Sequence, residues 1–310
     1  MSLFTFMILL GFVPWVESVV TVHAGRPPRQ GAPNLGRVFK TIVSNKLRLI
    51  FTLGLEGSGH HYMFAAEDAM HRKNTTLPGL ANFELDAGLY NIGRVMNESP
   101  GLFETQEMAA RAEMRRLAQR TENVPWPGIV VLQRGCLSYP NGNGQLKVFN
   151  YMDMRLMAEV AEAEGVDFRV LYLRRSAKDL IVANTVHRNF QDWLGAGPTA
   201  TPEQRLIEYI KVLFTALGVL HSFLAEIDPA FVVCHDWNYL GNADQAKTIS
   251  NFVAPTPEVA LLFEESLVGI ASVRHNRTEE LPLGAGAVAA RLQKKLDSLE
   301  SLYCGHLQRS

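Results

Sequence analysis

Residues 49–61, LIFTLGLEGSGHH, pass from a short apolar run into a loop with three glycines in six residues. The run Leu49–Leu53 is typical of a buried β-strand, and it ends at Gly54. The stretch His60–His71 follows the loop and has apolar side chains at helical spacing. This order favours binding of an anion, above all a phosphate, because the first N–H groups of a helix lack intrahelical acceptors and the helix dipole is positive there. A plain glycine-rich turn is the alternative interpretation.

The rest of the chain alternates between strand and helix patterns. Further strands are predicted at 129–132, 168–173 and 231–234. Further helices are predicted at 101–120, 152–164, 179–190, 202–226, 243–252, 258–270 and 287–303. Strands separated by helices are typical of βαβ units around a parallel sheet. We therefore expect an α/β fold whose central parallel sheet is flanked by helices, with additional helices in the C-terminal half.

The composition of the chain limits the classes of function. The apolar fraction of 47% excludes collagen-like and intrinsically disordered chains. Because 30 basic residues face 31 acidic ones, a general affinity for nucleic acid is not expected. The three cysteines, Cys136, Cys234 and Cys304, lie too far apart for paired metal ligands. They allow at most one internal disulfide with one thiol left over, and no catalytic metal is predicted.

The N-terminus carries the pattern of a targeting segment. Leu3–Val13 is a nearly unbroken apolar run of the length found in signal peptides, and a proline and a glutamate soon after it weaken a full membrane span. We predict that residues 1–24 are a cleaved signal peptide. An uncleaved signal anchor, which would give membrane association, and a buried N-terminal helix are the alternatives. The Pro- and Gly-rich residues 25–40 are predicted to be a linker or stem, and 41–310 to form the α/β domain.

Three asparagines stand in N-x-[ST] triplets, the acceptor pattern of N-glycosylation. They are Asn74, Asn97 and Asn276. Together with the apolar start, they predict a glycoprotein of the secretory pathway, either in the Golgi lumen or secreted.

The spacing of Gly54 and Gly59 matches the beginning of a Walker A motif, G-x-x-x-x-G. That motif continues with a lysine for the β- and γ-phosphates and a serine or threonine for Mg²⁺, whereas this chain has His60 and His61 there. The two histidines disfavour a metal-dependent nucleoside triphosphatase or an ordinary kinase. A divergent P-loop phosphotransferase that uses ATP stays an alternative.

The loop instead resembles the 5′-phosphosulfate loop of the sulfotransferase family, K/R-S-G-T-T between a strand and a helix. Ser58 and Gly59 match that pattern, Gly57 stands in place of the family's cation, and His60 and His61 stand in place of its two threonines. The resemblance implies that residues 57–61 bind the 5′ end of the donor 3′-phosphoadenosine 5′-phosphosulfate (PAPS).

A second segment, RRSAKDLIV at 174–182, follows the strand at 168–173 and resembles the family's 3′-phosphate segment, R-x-P-x-D. Arg175 takes the position of the arginine that grips the 3′-phosphate, and Asp179 matches the aspartate. A guanidinium suits this role because it is always charged and binds phosphate through two N–H groups. Ala183 stands where the family has a phosphate-binding serine; either Asn184 or Thr185 substitutes for it, or this contact is absent.

Cys234-His235-Asp236 resembles a later strand end, Y-E-D, so the resemblance covers about residues 48–240. The R-K-G segment typical of cytosolic members is not present. The resemblance implies a three-layer P-loop-like fold in a divergent member of the luminal or Golgi type. It further implies transfer of a sulfuryl group from PAPS to a hydroxyl or amine of a glycan, lipid or small metabolite.

The catalytic base is predicted near the loop. His61 and His60 are the first candidates because a neutral imidazole accepts a proton near neutral pH; Glu56 is one alternative, and a residue elsewhere in the chain is the other. A further hypothesis is a non-catalytic nucleotide-binding protein of the same fold. Such a protein would be expected to have lost the loop cation and the clamp serine, as this chain has.

Overall fold

The computed structural model describes residues 47–55, 57–73, 76–77, 83–84, 103–120, 129–136, 154–186, 200–224, 227–271, 280–281 and 284–304. The predicted signal segment, the linker, the three glycosylation asparagines and Glu56 lie outside these residues. The strands are β1 (Leu47–Gly54), β2 (Phe83–Glu84), β3 (Ile129–Cys136), β4 (Asp167–Arg174) and β5 (Val232–Asp236). The helices are α1 (His60–Lys73), α2 (Phe103–Arg120), α3 (Met154–Glu164), α4 (Ala177–Thr185), α5 (Pro202–Leu224), α6 (Ala243–Val253), α7 (Pro257–Ala271) and α8 (Gly286–Tyr303). This confirms the α/β class.

The five strands form one sheet in the order β2-β3-β1-β4-β5, and every neighbouring pair is parallel. Leu53 of β1 is in register with Gly135 of β3 on one side and with Tyr172 of β4 on the other. The chain after β1 therefore builds one half of the sheet through β2 and β3 before it crosses to β4 and β5.

Helices bury both faces of the sheet, which is why its strands read as nearly continuous apolar runs. In β1, Leu49, Phe51 and Leu53 pack into a core shared with α2, α3, α4, α5 and α8. Ile50 points to the opposite face, where α1, α6 and α7 complete a second core. Because side chains of a strand alternate between faces, one strand serves both cores.

Most predicted elements are confirmed within a few residues, with two differences. Strand β2 was not predicted, because two residues are too short for any hydrophobic period. The helix predicted at 179–190 begins two residues earlier, at Ala177, and ends at Thr185 with Val186 as its C-cap; residues 187–190 lie outside the described part of the chain. Ser176 is the N-cap of α4, and its side chain accepts a hydrogen bond from the Asp179 N–H at 3.1 Å.

Helix α8 is tied to the edge strand β5 by two kinds of interaction. A disulfide joins Cys234 of β5 to Cys304, which caps α8. Arg174 at the end of β4 pairs with Glu300 of α8 at 2.6 Å and with Asp236 of β5 at 3.5 Å. The single internal disulfide that the sequence allows is therefore formed between the second and third cysteines.

Candidate anion-binding site

The loop after β1 lies at the point where the strand order reverses. Strand β1 lies between β3 and β4; the chain leaves β1 toward β2 on one side of the sheet and leaves β4 toward β5 on the other. In open α/β sheets, ligands bind outside the carboxyl ends of the strands at such a switch point. The segments that follow β1 and β4 meet at this place, and they are the two segments that the sequence singled out.

Glycine is required twice in the loop between β1 and α1. Gly57 has a φ of 87° and Gly59 a φ of 113°, values that residues other than glycine rarely adopt. Ser58 between them is buried, and it donates from its backbone N–H at 3.0 Å and from its hydroxyl at 2.5 Å to the Leu55 carbonyl. The loop is thus a tight turn that is closed by two hydrogen bonds, and its backbone conformation depends on its two glycines.

Arg175 reaches this loop from the end of β4. Its Nη1 donates a hydrogen bond to the carbonyl oxygen of Gly57 at 2.7 Å. Its guanidinium carbon lies 4.5 Å from the centroid of the Trp237 ring. A cation and a glycine-rich helix N-terminus, 118 residues apart in the chain, are thereby in direct contact.

The neighbouring Arg174 has a different role. Its guanidinium is largely buried and is held by the carboxylates of Glu300 and Asp236. Burial raises the pKa of Glu300, and the hydrogen bond from Arg174 opposes that shift. Of the two adjacent arginines, Arg174 joins the end of the sheet to α8, and Arg175 contacts the loop.

Of the two substitutes for the family's clamp serine, Asn184 lies next to the loop, whereas Thr185 donates its hydroxyl hydrogen to the Ile181 carbonyl within α4 at 2.7 Å. Asn184 is fully buried, and a Cβ added to Gly57 would lie 3.1 Å from its amide nitrogen and oxygen. Ala183 is buried as well. The Asn184 amide therefore packs directly against Gly57, on the side of the loop that faces α4.

The candidate bases are only partly described. His61 is exposed in the first turn of α1, and its ring meets that of Phe64 edge to face, with 6.4 Å between centroids. The backbone of His60 begins α1, while its side chain, like Glu56, lies outside the described residues. An exposed imidazole next to the loop is accessible to an acceptor molecule.

A buried aromatic pair that was not predicted from the sequence joins β5 to α1. His235 of β5 stacks on Tyr62 of α1, with 5.5 Å between centroids and 11° between planes. Gln245 of α6 accepts from the Asp236 N–H at 3.1 Å, which directs its NH₂ group toward His235 Nδ1 at 2.8 Å. His235 Nδ1 is then an acceptor, so the imidazole is neutral. Burial lowers the pKa of His235 to about 4.

We expect the stability of the protein to fall as the pH drops from about 6.5 to about 4. In that window the unfolded chain binds a proton at His235, whose ordinary pKa is 6.5, and the folded chain does not. The free energy of unfolding should be about 2 kcal/mol lower at pH 5 than at pH 7 from this group alone. Urea unfolding of the chain and of His235→Gln at both pH values isolates this contribution, because other titrating groups act in both proteins. An equal pH dependence in the two proteins would contradict the assignment.

A substitution of Gly59 by alanine should destabilise the protein by about 2 kcal/mol. A Cβ at this position would lie 2.7 Å from two carbons of the Trp237 ring, and the φ of 113° adds backbone strain. Gly218, on the exposed side of α5, is the matched control. Alanine there meets nothing within 4 Å and should stabilise the helix by about 0.5–1 kcal/mol. Urea unfolding of both variants compares the two effects, and a Gly59→Ala protein as stable as the parent would show that the turn relaxes freely.

Trp237 is the second residue that the sequence analysis did not assign to the site. It lies in the short 3₁₀ turn Trp237–Tyr239 directly after β5. The rule that ligands bind at the carboxyl ends of parallel strands was sufficient to draw attention to it. Its neighbours became visible only in three dimensions.

The described part of the chain shows no sign of a metal site or of a membrane-spanning helix. Within it, no group of three or more His, Cys, Asp or Glu side chains is arranged to hold a metal ion. None of the helices described is both long and apolar enough to cross a membrane. In comparisons with known proteins, neither a protein-family model nor a curated protein matches this chain.

Proposed function

We propose that the protein is a PAPS-dependent sulfotransferase with a P-loop-like fold. The observation that carries the proposal is the contact between Arg175 Nη1 and the Gly57 carbonyl at 2.7 Å. The two segments that resemble the donor-binding motifs of that family meet at the switch point of a parallel sheet. A bisphosphorylated nucleotide needs two anion sites a few ångströms apart, and a helix N-terminus beside an arginine supplies them.

In the proposed reaction the oxygen of an acceptor hydroxyl, or the nitrogen of an acceptor amine, attacks the sulfur of PAPS in line. A new bond to sulfur forms, and the bond between sulfur and the bridging phosphate oxygen breaks. Adenosine 3′,5′-bisphosphate leaves with that electron pair, and the acceptor proton passes to a base. The N–H groups of the loop 57–61 stabilise the negative charge of the leaving group, and Arg175 holds its 3′-phosphate.

His61 is the candidate base whose side chain the structure describes, and we propose it as the base. It is exposed and stands in the first turn of α1, directly beside the loop that would bind the reacting group. His60 and Glu56 remain the alternative bases. The reaction as written needs no metal, and PAPS is a co-substrate rather than a resident cofactor.

The proposed compartment is the lumen of the secretory pathway. A disulfide between Cys234 and Cys304 is typical of proteins that fold in an oxidising compartment. It adds to the apolar segment 1–24 and the three glycosylation triplets. The acceptor is proposed to be a glycan, a lipid or a small metabolite of that compartment.

A non-catalytic nucleotide-binding protein is the second candidate function. Ser58, which matches the family's loop serine, is buried and donates its hydroxyl hydrogen to Leu55. Gly57 stands in place of the loop cation. A loop without that cation has less charge with which to stabilise a leaving group, so such a protein would bind the bisphosphate and transfer nothing.

The test is calorimetric binding of three nucleotides to the full chain. Adenosine 3′,5′-bisphosphate, AMP, and ATP with Mg²⁺ are compared side by side. Preference for the bisphosphate supports the donor site, and incubation with radiolabelled PAPS and pooled glycan, lipid and small-molecule acceptors then separates an enzyme from a non-catalytic binder. Preference for ATP, or absence of binding, would reject the proposal.

A further inference from the structure

Trp237 contacts three parts of the candidate site at once. The guanidinium carbon of Arg175 lies 4.5 Å from the centroid of its ring. On the loop side, a Cβ at Gly59 would lie 2.7 Å from the same ring. Tyr62 in the first turn of α1 meets it edge to face, with 6.1 Å between centroids and 73° between planes. The indole therefore packs against both the cation and the glycine-rich loop.

The turn that carries Trp237 is anchored on both sides. The Asp236 carboxylate accepts the Asn238 N–H at 2.8 Å, which caps the turn. The amide of Gln245 accepts from the Asp236 N–H and donates to the Asp236 carbonyl, both at 3.1 Å. Arg174 pairs with the Asp236 carboxylate at 3.5 Å. These bonds hold the backbone on both sides of Trp237, and the contacts with Arg175 and Tyr62 hold its ring.

We propose that Trp237 is a positioning residue that aligns Arg175 for the 3′-phosphate of the bound nucleotide. This inference rests on the proposed function of the site. The Trp237 ring covers one face of the Arg175 guanidinium. The N–H groups of Arg175 lie in the plane of the guanidinium and point outward from its edge, so they stay available for hydrogen bonds. One of them donates to Gly57, which sets the rotation of that plane relative to the loop. Trp237 thus restricts the rotamers of Arg175 before the anion arrives, and the binding of the anion costs less side-chain entropy.

The first test compares Trp237→Leu with the conservative variant Trp237→Phe in the full chain. Leucine keeps an apolar side chain but removes the aromatic face, so the affinity for adenosine 3′,5′-bisphosphate should fall about tenfold. The affinity for AMP, which lacks the 3′-phosphate, should change by less than about twofold. Phenylalanine should restore most of the selectivity. An equal loss for both nucleotides would overturn the proposal, because a general disturbance of the loop affects them alike.

The second test is a double-mutant cycle with Arg175→Ala. If Trp237 acts through Arg175, then Trp237→Leu should cause no further loss of bisphosphate affinity once Arg175 is absent. If the two losses of affinity instead multiply, Trp237 either contacts the nucleotide itself or acts on the loop alone. That outcome would overturn a role exerted through Arg175.

A third measurement is independent of any nucleotide. The side-chain N–H resonance of Arg175, identified by its absence in Arg175→Lys, should carry the ring-current shift of the stacked indole. Trp237→Leu should remove that shift in the ligand-free chain. An unchanged resonance would overturn the positioning role whatever the chain binds. In contrast, a parent chain without preference for the bisphosphate over AMP would reject the proposed donor site instead.

Discussion

Replacement of Arg175 by alanine is expected to weaken binding of adenosine 3′,5′-bisphosphate by about 100-fold and binding of AMP by less than about threefold. The reason is that Arg175 is proposed to hold the 3′-phosphate, which AMP lacks. A charge-assisted hydrogen bond contributes about 1.5–3 kcal/mol, and the higher value corresponds to a factor above 100 in the dissociation constant. Calorimetric titration of the full chain with both nucleotides gives the two factors.

Lys178→Ala is the matched control for this experiment. Lys178 is an exposed cation in the first turn of α4, three residues from Arg175, and its removal changes the net charge by the same amount. Its loss should reduce the affinity for either nucleotide by less than about twofold, because exposed charges interact weakly through water. Arg175→Lys keeps the charge but not the planar fork, and it should lie between the parent chain and Arg175→Ala. Equal losses for the bisphosphate and AMP in Arg175→Ala would show that Arg175 is not the clamp.

Removal of the disulfide is expected to lower the free energy of unfolding by about 4 kcal/mol. Cys234 and Cys304 are 70 residues apart, so the covalent link excludes many conformations of the unfolded chain. The double variant Cys234→Ala/Cys304→Ala should therefore unfold at a much lower urea concentration than the parent chain. Because Arg174 and Glu300 still pair across the same contact, α8 should remain docked in the folded state.

Reduction of the parent chain provides the control for the disulfide. A thiol reductant should lower the stability of the parent to that of the double variant and should leave the variant unchanged. Cys136→Ser removes the thiol left over by this pairing and serves as the second control, in which the effect of the reductant should persist. A parent chain whose stability does not respond to reductant would contradict the disulfide.

A large part of the fold followed from local patterns. The strand at Leu49–Leu53 and the helix at 101–120 were predicted within a few residues, since burial on a sheet or along one helix face imposes a period of apolar residues on the sequence. The glycines at 57 and 59 were recognisable for an equally local reason, because their backbone conformations exclude side chains. Such features depend on neighbours within a few positions of the chain.

The order of the sheet and the contacts across it needed the tertiary structure. Whether Arg174 or Arg175 faces the loop depends on Glu300, which is 126 residues from Arg174 and forms an ion pair with it. Trp237 reaches the site because β5 lies beside β4, and Cys234 pairs with Cys304 because α8 returns to β5. Residue types and local conformations could be inferred from the chain alone, because they depend on short-range sterics and on hydrophobic period. Which residues meet required the folded structure, because such contacts depend on the packing of strands and helices that are far apart in the chain.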